Sequence, residues 1–105
     1  MPVDRLPALE MMASRSPNDP FPQYCLAQEY RSRGRSDDAV SAFTQLRERF
    51  PAYVPQYLMA AQLLHEFGRH ADARDWLTAG IDAARAARDT HSTGELEGML
   101  ASLPP

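Results

Sequence analysis

Apolar side chains recur every three or four residues along most of the chain, the spacing that places them on one face of an α-helix. Glycine and proline residues interrupt this pattern at intervals and predict where one helix ends and the next begins. About six amphipathic segments lie between these interruptions. The pattern therefore predicts an all-α fold of about six helices over 105 residues.

An internal repeat organises the central helices. A shift of 34 residues aligns residues 20–53 with residues 54–87 without a gap. Repetition at this period is typical of stacked helix pairs, in which each unit buries its apolar face against a neighbour. The positions that are identical in the two segments are Ala27/Ala61, Gln28/Gln62, Gly34/Gly68, Arg35/Arg69, Asp38/Asp72, Ala39/Ala73, Thr44/Thr78 and Ala52/Ala86.

Residues with known preferences for helix ends mark each unit as helix–turn–helix. Asp19 precedes a proline and predicts a capped helix start. Gly34 and Gly68 stand where a helix ends in a left-handed residue, which glycine adopts at low cost. Ser36 is expected to cap the second helix of the first unit, and Pro55 is expected to open the first helix of the second unit.

The segments outside the repeats are also predicted to be helical. Residues 4–16 carry apolar side chains at helical spacing and predict a short N-terminal helix. At the other end, Ser92 and Glu95 have the spacing of a capping box, which predicts a helix over residues 90–103. The last helix of the second repeat is expected to extend to about Arg88.

The spacing and residue types resemble the tetratricopeptide repeat. That family places small residues where helices pack closely, large apolar residues between them, and a proline near the end of each unit. The matching residues are Ala27, Tyr30, Ala39, Phe43, Leu46 and Pro51 in the first unit, and Ala61, Leu64, Ala73, Leu77, Gly80 and Arg85 in the second. The sequence departs from the pattern at Leu46, where alanine is usual, and at Arg85, where proline is usual.

The resemblance implies an α–α superhelix of antiparallel helices and one domain over residues 1–105. Its predicted parts are an N-terminal half-repeat, two full repeats and a capping helix, which span residues 4–16, 20–53, 54–87 and 90–103. It also implies a non-enzymatic adaptor that binds a peptide segment of a partner protein in a groove lined by the first helices. The candidate groove residues are Phe21, Tyr24, Gln28, Arg31, Leu58, Gln62 and His65.

Several candidates also have an alternative interpretation. Phe21 and Tyr24 are the residue types that dominate binding hot spots, but they are equally able to pack against the N-terminal helix. The glutamines are able to bond a peptide backbone, yet glutamine is also a common exposed helix residue. Trp76 is expected to cover the joint with the last helix. Alternatively, it forms an exposed patch with Tyr53 and Tyr57, which favours a self-assembling homodimer as a second function.

Composition excludes several partners. All 11 basic residues are arginine, and 14 acidic residues bring the net charge to −3, so a nucleic-acid binder is not expected. Lysine is absent, and Tyr24, Gln28 and Met59 stand where repeats that grip carboxyl termini carry lysine and asparagine. No apolar run is long enough to span a membrane and no leader is visible, which predicts a cytoplasmic protein. The preference for arginine over lysine indicates a G/C-rich, bacterial source.

No catalytic, metal or cofactor site is expected. His65 and His70 are five residues apart across a turn, whereas metal ligands on one helix favour four. Cys25 is interpreted as a small apolar side chain, because no orienting partner is visible for a thiol nucleophile. The arginines in residues 31–35 lack interleaved aromatic residues and are interpreted as a solvated turn.

Overall fold

The computed structural model describes residues 4–105, which form six α-helices and no strand. The helices are α1 (Leu6–Arg15), α2 (Pro20–Ser32), α3 (Ser36–Arg49), α4 (Pro55–Glu66), α5 (His70–Ala86) and α6 (Thr90–Ser102). They form two compact units: α1–α3 belong to the first, which ends at Arg49, and α4–α6 to the second, Phe50–Pro105. The predicted all-α fold of antiparallel helices is confirmed.

Most predicted helix boundaries agree with the structure. The Asp19 carboxylate accepts a hydrogen bond of 3.0 Å from the backbone N–H of Phe21 and caps α2. Gly34 and Gly68 both have φ of 73°, so each ends its helix in the left-handed conformation expected of glycine. Pro55 is the first residue of α4.

Two predicted caps and one predicted helix end were wrong. Ser36 is the first residue of α3 rather than its preceding cap, and its hydroxyl donates to the Gly34 carbonyl. Asp89, not Ser92, caps α6: its carboxylate accepts the backbone N–H of Ser92 at 3.0 Å, so the helix begins before the expected capping box. Helix α5 ends at Ala86, because Arg88 adopts a φ of 57° that is incompatible with a continuing helix.

The first unit is built on contacts between α2 and α3. Ala27 and Ala39 are fully buried, which lets the two helix backbones approach closely. Phe43 and Leu46 fill the space around them. Helix α1 buries only Leu6 on the described part of the chain, so apolar packing holds this helix less firmly than its neighbours.

Ion pairs also hold α1 against α2. The Glu29 carboxylate, with its side chain only 10% exposed, lies 3.2 Å from the Arg5 guanidinium and 2.9 Å from that of Arg33. Arg33 in turn pairs with Asp4, whose carboxylate also accepts the backbone N–H of Leu6 at 3.0 Å. This network links the start of α1 to the end of α2.

The network makes a pH dependence testable at Asp4. The hydrogen bond from the Leu6 backbone, and then the contact with Arg33, lower the pKa of the Asp4 carboxyl below its ordinary value. A lowered pKa stabilises the folded state above the unfolded pKa, and this contribution is lost as pH falls through the folded pKa. Between about pH 7 and about pH 3, the thermal unfolding midpoint of the native chain should therefore fall more than that of Asp4→Asn. Parallel pH profiles would refute this role for Asp4.

The second unit closes around Gly80, where α4, α5 and α6 meet. A Cβ atom added at Gly80 would lie 2.5 Å from the Tyr57 Cβ and 3.3 Å from a Leu96 methyl group. No side chain other than hydrogen fits this crossing without moving the helices. Leu64 and Leu77 are buried in the same unit.

Candidate protein-interaction surface

Four candidate residues lie along one face of α2. We call this set the α2 stripe, and its members are Phe21, Tyr24, Gln28 and Arg31. Their spacing of three, four and three residues aligns them along the helix. Phe21 is 56% exposed, and the other three are half-buried. More than half of the Phe21 side chain therefore remains available to a partner.

Tyr24 contacts the core residue Phe43 on one side and Gln28, its neighbour on the stripe, on the other. Its ring meets Phe43 edge-on, with 6.4 Å between ring centroids and 66° between planes. The Gln28 amide donates to the Tyr24 phenol oxygen at 3.5 Å. Burial, followed by the neighbouring Cys25 thiol, raises the pKa of the Tyr24 phenol. The phenol therefore stays protonated at neutral pH and is able both to donate and to accept hydrogen bonds.

One acceptor on the stripe is unsatisfied. The Gln28 carboxamide oxygen is buried and has no hydrogen-bond partner within residues 4–105. Leaving a buried acceptor unpaired costs about 1–3 kcal/mol, so an added donor at this oxygen would be stabilising. The sequence showed two glutamines in register but carried no sign that this oxygen is unpaired.

Cys25 has no feature of a nucleophile. The side chain is half-buried, and burial raises the pKa of its thiol. Reactive cysteines instead have a lowered pKa, because the thiolate is the attacking species. The structure supports the interpretation of Cys25 as a small apolar side chain.

Three further candidates lie along α4 in the second unit. We call Leu58, Gln62 and His65 the α4 stripe; their spacing of four and three residues places them on one helical face. Leu58 and Gln62 are half-buried, whereas His65 is exposed. The stripe offers an apolar group, an amide and an imidazole to a ligand.

His65 has a neighbour that the sequence interpretation missed. Its ring lies 5.0 Å from the ring of His70, and the two Nδ1 atoms are 3.1 Å apart. Two residues that are five apart lie on different faces of a single helix, so the spacing alone does not predict this contact. Because Gly68 reverses the chain between them, the turn brings the two rings together.

The proposed exposed aromatic patch was wrong. Tyr57 is 2% exposed and Trp76 is 7% exposed, and their ring centroids are 5.8 Å apart inside the second unit. The Tyr57 hydroxyl donates to the Pro51 carbonyl, which satisfies its polar end. Tyr53 is half-buried. Tyr57 and Trp76 are therefore core residues rather than a docking surface.

The arginines beyond α2 are paired within the first unit. Arg33 contacts Glu29 and Asp4, and the Arg35 guanidinium lies 2.8 Å from Asp38 and 4.7 Å from the Tyr30 ring centroid. These ion pairs partly neutralise the arginine charges that would have to be exposed to bind phosphate groups. They support the interpretation of this turn as a surface turn rather than a nucleic-acid site.

A family model described as tetratricopeptide repeat matches residues 30–91, more than half of the chain. The chain belongs to the tetratricopeptide repeat family. The family inferred from the 34-residue spacing is thereby confirmed. None of the curated proteins compared with this tetratricopeptide repeat chain matches it.

Solved structures of the family resemble it closely. A solution NMR structure of a tetratricopeptide repeat domain protein from Salinibacter ruber is 33% identical, with a TM-score of 0.77. That match covers 81% of this chain and 86% of the other. A crystal structure of a tetratricopeptide repeat domain protein from Salinibacter ruber is 32% identical, with a TM-score of 0.73, and the match covers 79% and 92% of the two chains.

Membership defines the general role of this tetratricopeptide repeat protein. The family is generally a protein–protein interaction fold and generally non-catalytic. Within residues 4–105, no group of three or more histidine, cysteine, aspartate or glutamate side chains is placed to hold a metal ion. Over the same range, no helix combines the length and apolar character needed to cross a membrane.

One open cleft lies between α5 and α6 of this repeat protein. It encloses about 400 Å³, and its lining includes Ile81 and Leu100 beside the ion pair of Arg85 with Glu97 at 3.6 Å. Thr78 also lines this cleft, and its hydroxyl donates a hydrogen bond to the backbone carbonyl of Arg74. This lining joins aliphatic groups to a charged rim.

Proposed function

We propose that this chain is an adaptor that binds a peptide segment of a partner protein through the α2 stripe of the first unit. The observation that carries the proposal is Phe21, a large aromatic side chain left 56% exposed on the α2 stripe. Aromatic side chains contribute much of the binding energy at protein interfaces when a partner covers them. In the family, the first helices of the repeats line the groove, and α2 is the first helix of its repeat.

The α2 stripe is suited to bind with little loss of conformational entropy. Tyr24 is already fixed by Phe43 and Gln28, so a partner need not order it. The Gln28 oxygen is buried and unpaired within residues 4–105, so rotation of this side chain toward a bound segment would give the oxygen a backbone N–H partner. Arg31 adds a guanidinium that suits a carboxylate of the same segment. The expected ligand is therefore an extended segment with an apolar or aromatic anchor.

Self-assembly, the alternative inferred from the sequence, has lost the surface on which it depended. That interpretation required Tyr53, Tyr57 and Trp76 to form an exposed interface between two copies, but Tyr57 and Trp76 are buried. No other observation singles out a second copy as the ligand. We retain the division into a half-repeat, two repeats and a capping helix, at residues 4–16, 20–53, 54–87 and 90–103, as part of the proposal.

A pull-down from native lysate tests the proposed surface. Three tagged baits are compared: the native chain, Phe21→Ala, and Phe67→Ala, whose phenylalanine is similarly exposed at 46% but lies outside both stripes. The native and Phe67→Ala baits should enrich the same partner. Phe21→Ala should retain about fivefold less of it, equivalent to about 1 kcal/mol of binding free energy.

Three outcomes would contradict the proposal. Equal capture by Phe21→Ala would show that the α2 stripe is not the contact surface. Capture lost only from Phe67→Ala would move the surface to the α4–α5 turn. Recovery of the chain's own untagged copy alone, by all three baits, would favour self-assembly instead. Thermal unfolding of each bait controls for loss of structure, and we expect little change because both side chains are exposed.

A further inference from the structure

We propose that His65 and His70 form a two-imidazole site for a divalent late transition-metal ion, with copper(II) bound most strongly. The inference does not rest on the proposed function, since it concerns a metal ion and not a peptide. It rests on the two Nδ1 atoms, which lie 3.1 Å apart at the turn between α4 and α5. Both side chains reach this turn from helix ends: His65 is in the last turn of α4, and His70 begins α5.

The distance between the two nitrogens suits ligation of one ion. Imidazole nitrogens bind such ions at about 2.0–2.1 Å. Two nitrogens 3.1 Å apart then subtend about 100° at the metal, which fits neighbouring positions in tetragonal or tetrahedral coordination. Without metal, the Nδ1–H of one ring donates a hydrogen bond to the Nδ1 of the other ring. Ligation moves that proton to Nε2 of the same ring, so two neutral imidazoles both present lone pairs to the ion.

The turn that carries the two rings is held by backbone hydrogen bonds. The Gly68 N–H donates to the His65 carbonyl and the Arg69 N–H donates to the Leu64 carbonyl, both at 2.9 Å. The backbone between the ligands is thus fixed before metal arrives, which lowers the entropy cost of chelation. The intervening cation is also neutralised, because the Arg69 guanidinium lies 2.8 Å from the Asp72 carboxylate.

The donor set favours copper(II) and limits the affinity. Imidazole nitrogen suits copper, nickel and zinc, and affinity for a given site rises to copper(II) along the divalent series. Because no third protein ligand joins the pair within residues 4–105, solvent completes the coordination. The site is therefore expected to bind a metal ion reversibly, with solvent-occupied positions, and not to form a closed structural centre. A bound ion would link the end of α4 to the start of α5 and stabilise that helix pair.

The test titrates copper(II) chloride into the untagged full chain in a weakly coordinating buffer. Calorimetry should show about one equivalent bound, and electron paramagnetic resonance should show two nitrogen ligands. His65→Gln and His70→Gln should each weaken binding by about tenfold or more. The matched control is His91→Gln, which changes the remaining histidine, an exposed residue paired with Glu95 on α6, and should bind as the native chain does.

A second readout separates ligation from loss of structure. Copper(II) should raise the unfolding temperature of the native chain and of His91→Gln, and should leave those of His65→Gln and His70→Gln unchanged. The proposal is overturned if either single variant binds copper(II) as well as the native chain. It is equally overturned if His91→Gln loses the binding, or if no nitrogen ligands are detected. The proposed function is tested separately, because peptide capture by the native chain is measured without metal.

Discussion

Replacement of Phe43 by alanine is expected to lower the free energy of unfolding by about 3–5 kcal/mol. The Phe43 side chain is 1% exposed, so truncation both removes buried apolar surface and leaves a cavity. It also removes the ring that meets Tyr24 edge-on, so the α2 stripe would lose a support. Chemical denaturation followed by circular dichroism measures the loss.

The internal repeat supplies the matched control for this prediction. Leu77 occupies the position 34 residues beyond Phe43 and is fully buried in the second unit. Phe43→Leu therefore introduces a residue that the same position accommodates, and it should cost no more than about 1.5 kcal/mol. A Phe43→Ala loss below that of Phe43→Leu would show that Phe43 is not a principal core residue of the first unit.

Replacement of Gly80 by alanine is expected to lower the free energy of unfolding by about 1–3 kcal/mol. The added methyl group would lie 2.5 Å from the Tyr57 Cβ, which is too close for two carbon atoms. A Cβ atom cannot swing aside as the end of a flexible side chain can. The helices α4 and α5 must therefore separate to admit the methyl group. Thermal and chemical unfolding of the variant measure the effect.

A second glycine separates this steric effect from helix propensity. Gly98 lies within α6, and a Cβ there would meet nothing within 4 Å. Gly98→Ala should therefore raise stability by up to about 1 kcal/mol, since alanine favours the helix over glycine. If both variants were stabilised alike, the close approach at Gly80 would be refuted.

Local features of the fold were predictable because their causes are local. Asp19 caps the helix that follows it through a bond to a backbone N–H two residues away. Gly34 and Gly68 end their helices because the required backbone conformation suits glycine. The misassigned cap of α6 has a local cause as well. Asp89 and Ser92 are both good capping residues, and the sequence pattern did not show that the earlier one prevails.

Features that join distant residues were not predictable from spacing. The Glu29 network depends on Asp4 and Arg5, which lie more than 20 residues earlier in the chain. The buried Gln56 carried no sequence signal, yet its amide donates to the Phe50 carbonyl at 2.7 Å and its side chain is fully buried. Hydrophobic periodicity reports which face of a helix is apolar, but not which polar groups meet across a turn.

The candidate binding residues were predictable only as a set of helix positions. The family pattern nominated the α2 stripe, and exposure distinguishes its members: Phe21 is open to solvent, whereas Tyr24 is partly engaged in packing. For Trp76 the sequence left two interpretations open, packing at the joint with the last helix or an exposed patch with Tyr57. Large aromatic side chains are equally common in cores and at interfaces, so only the burial of their atoms separates the two roles.

Site-specific photo-crosslinking tests most directly whether the α2 stripe is where a partner binds. A photoreactive phenylalanine analogue is placed at position 21 in one sample and at position 67 in another, and each is irradiated in native lysate. We predict a crosslink to one partner protein from position 21, competed away by excess native chain, and none to that partner from position 67. Crosslinks to the same partner from position 67 alone, or only to a second copy of this chain from both positions, would contradict the proposed binding surface.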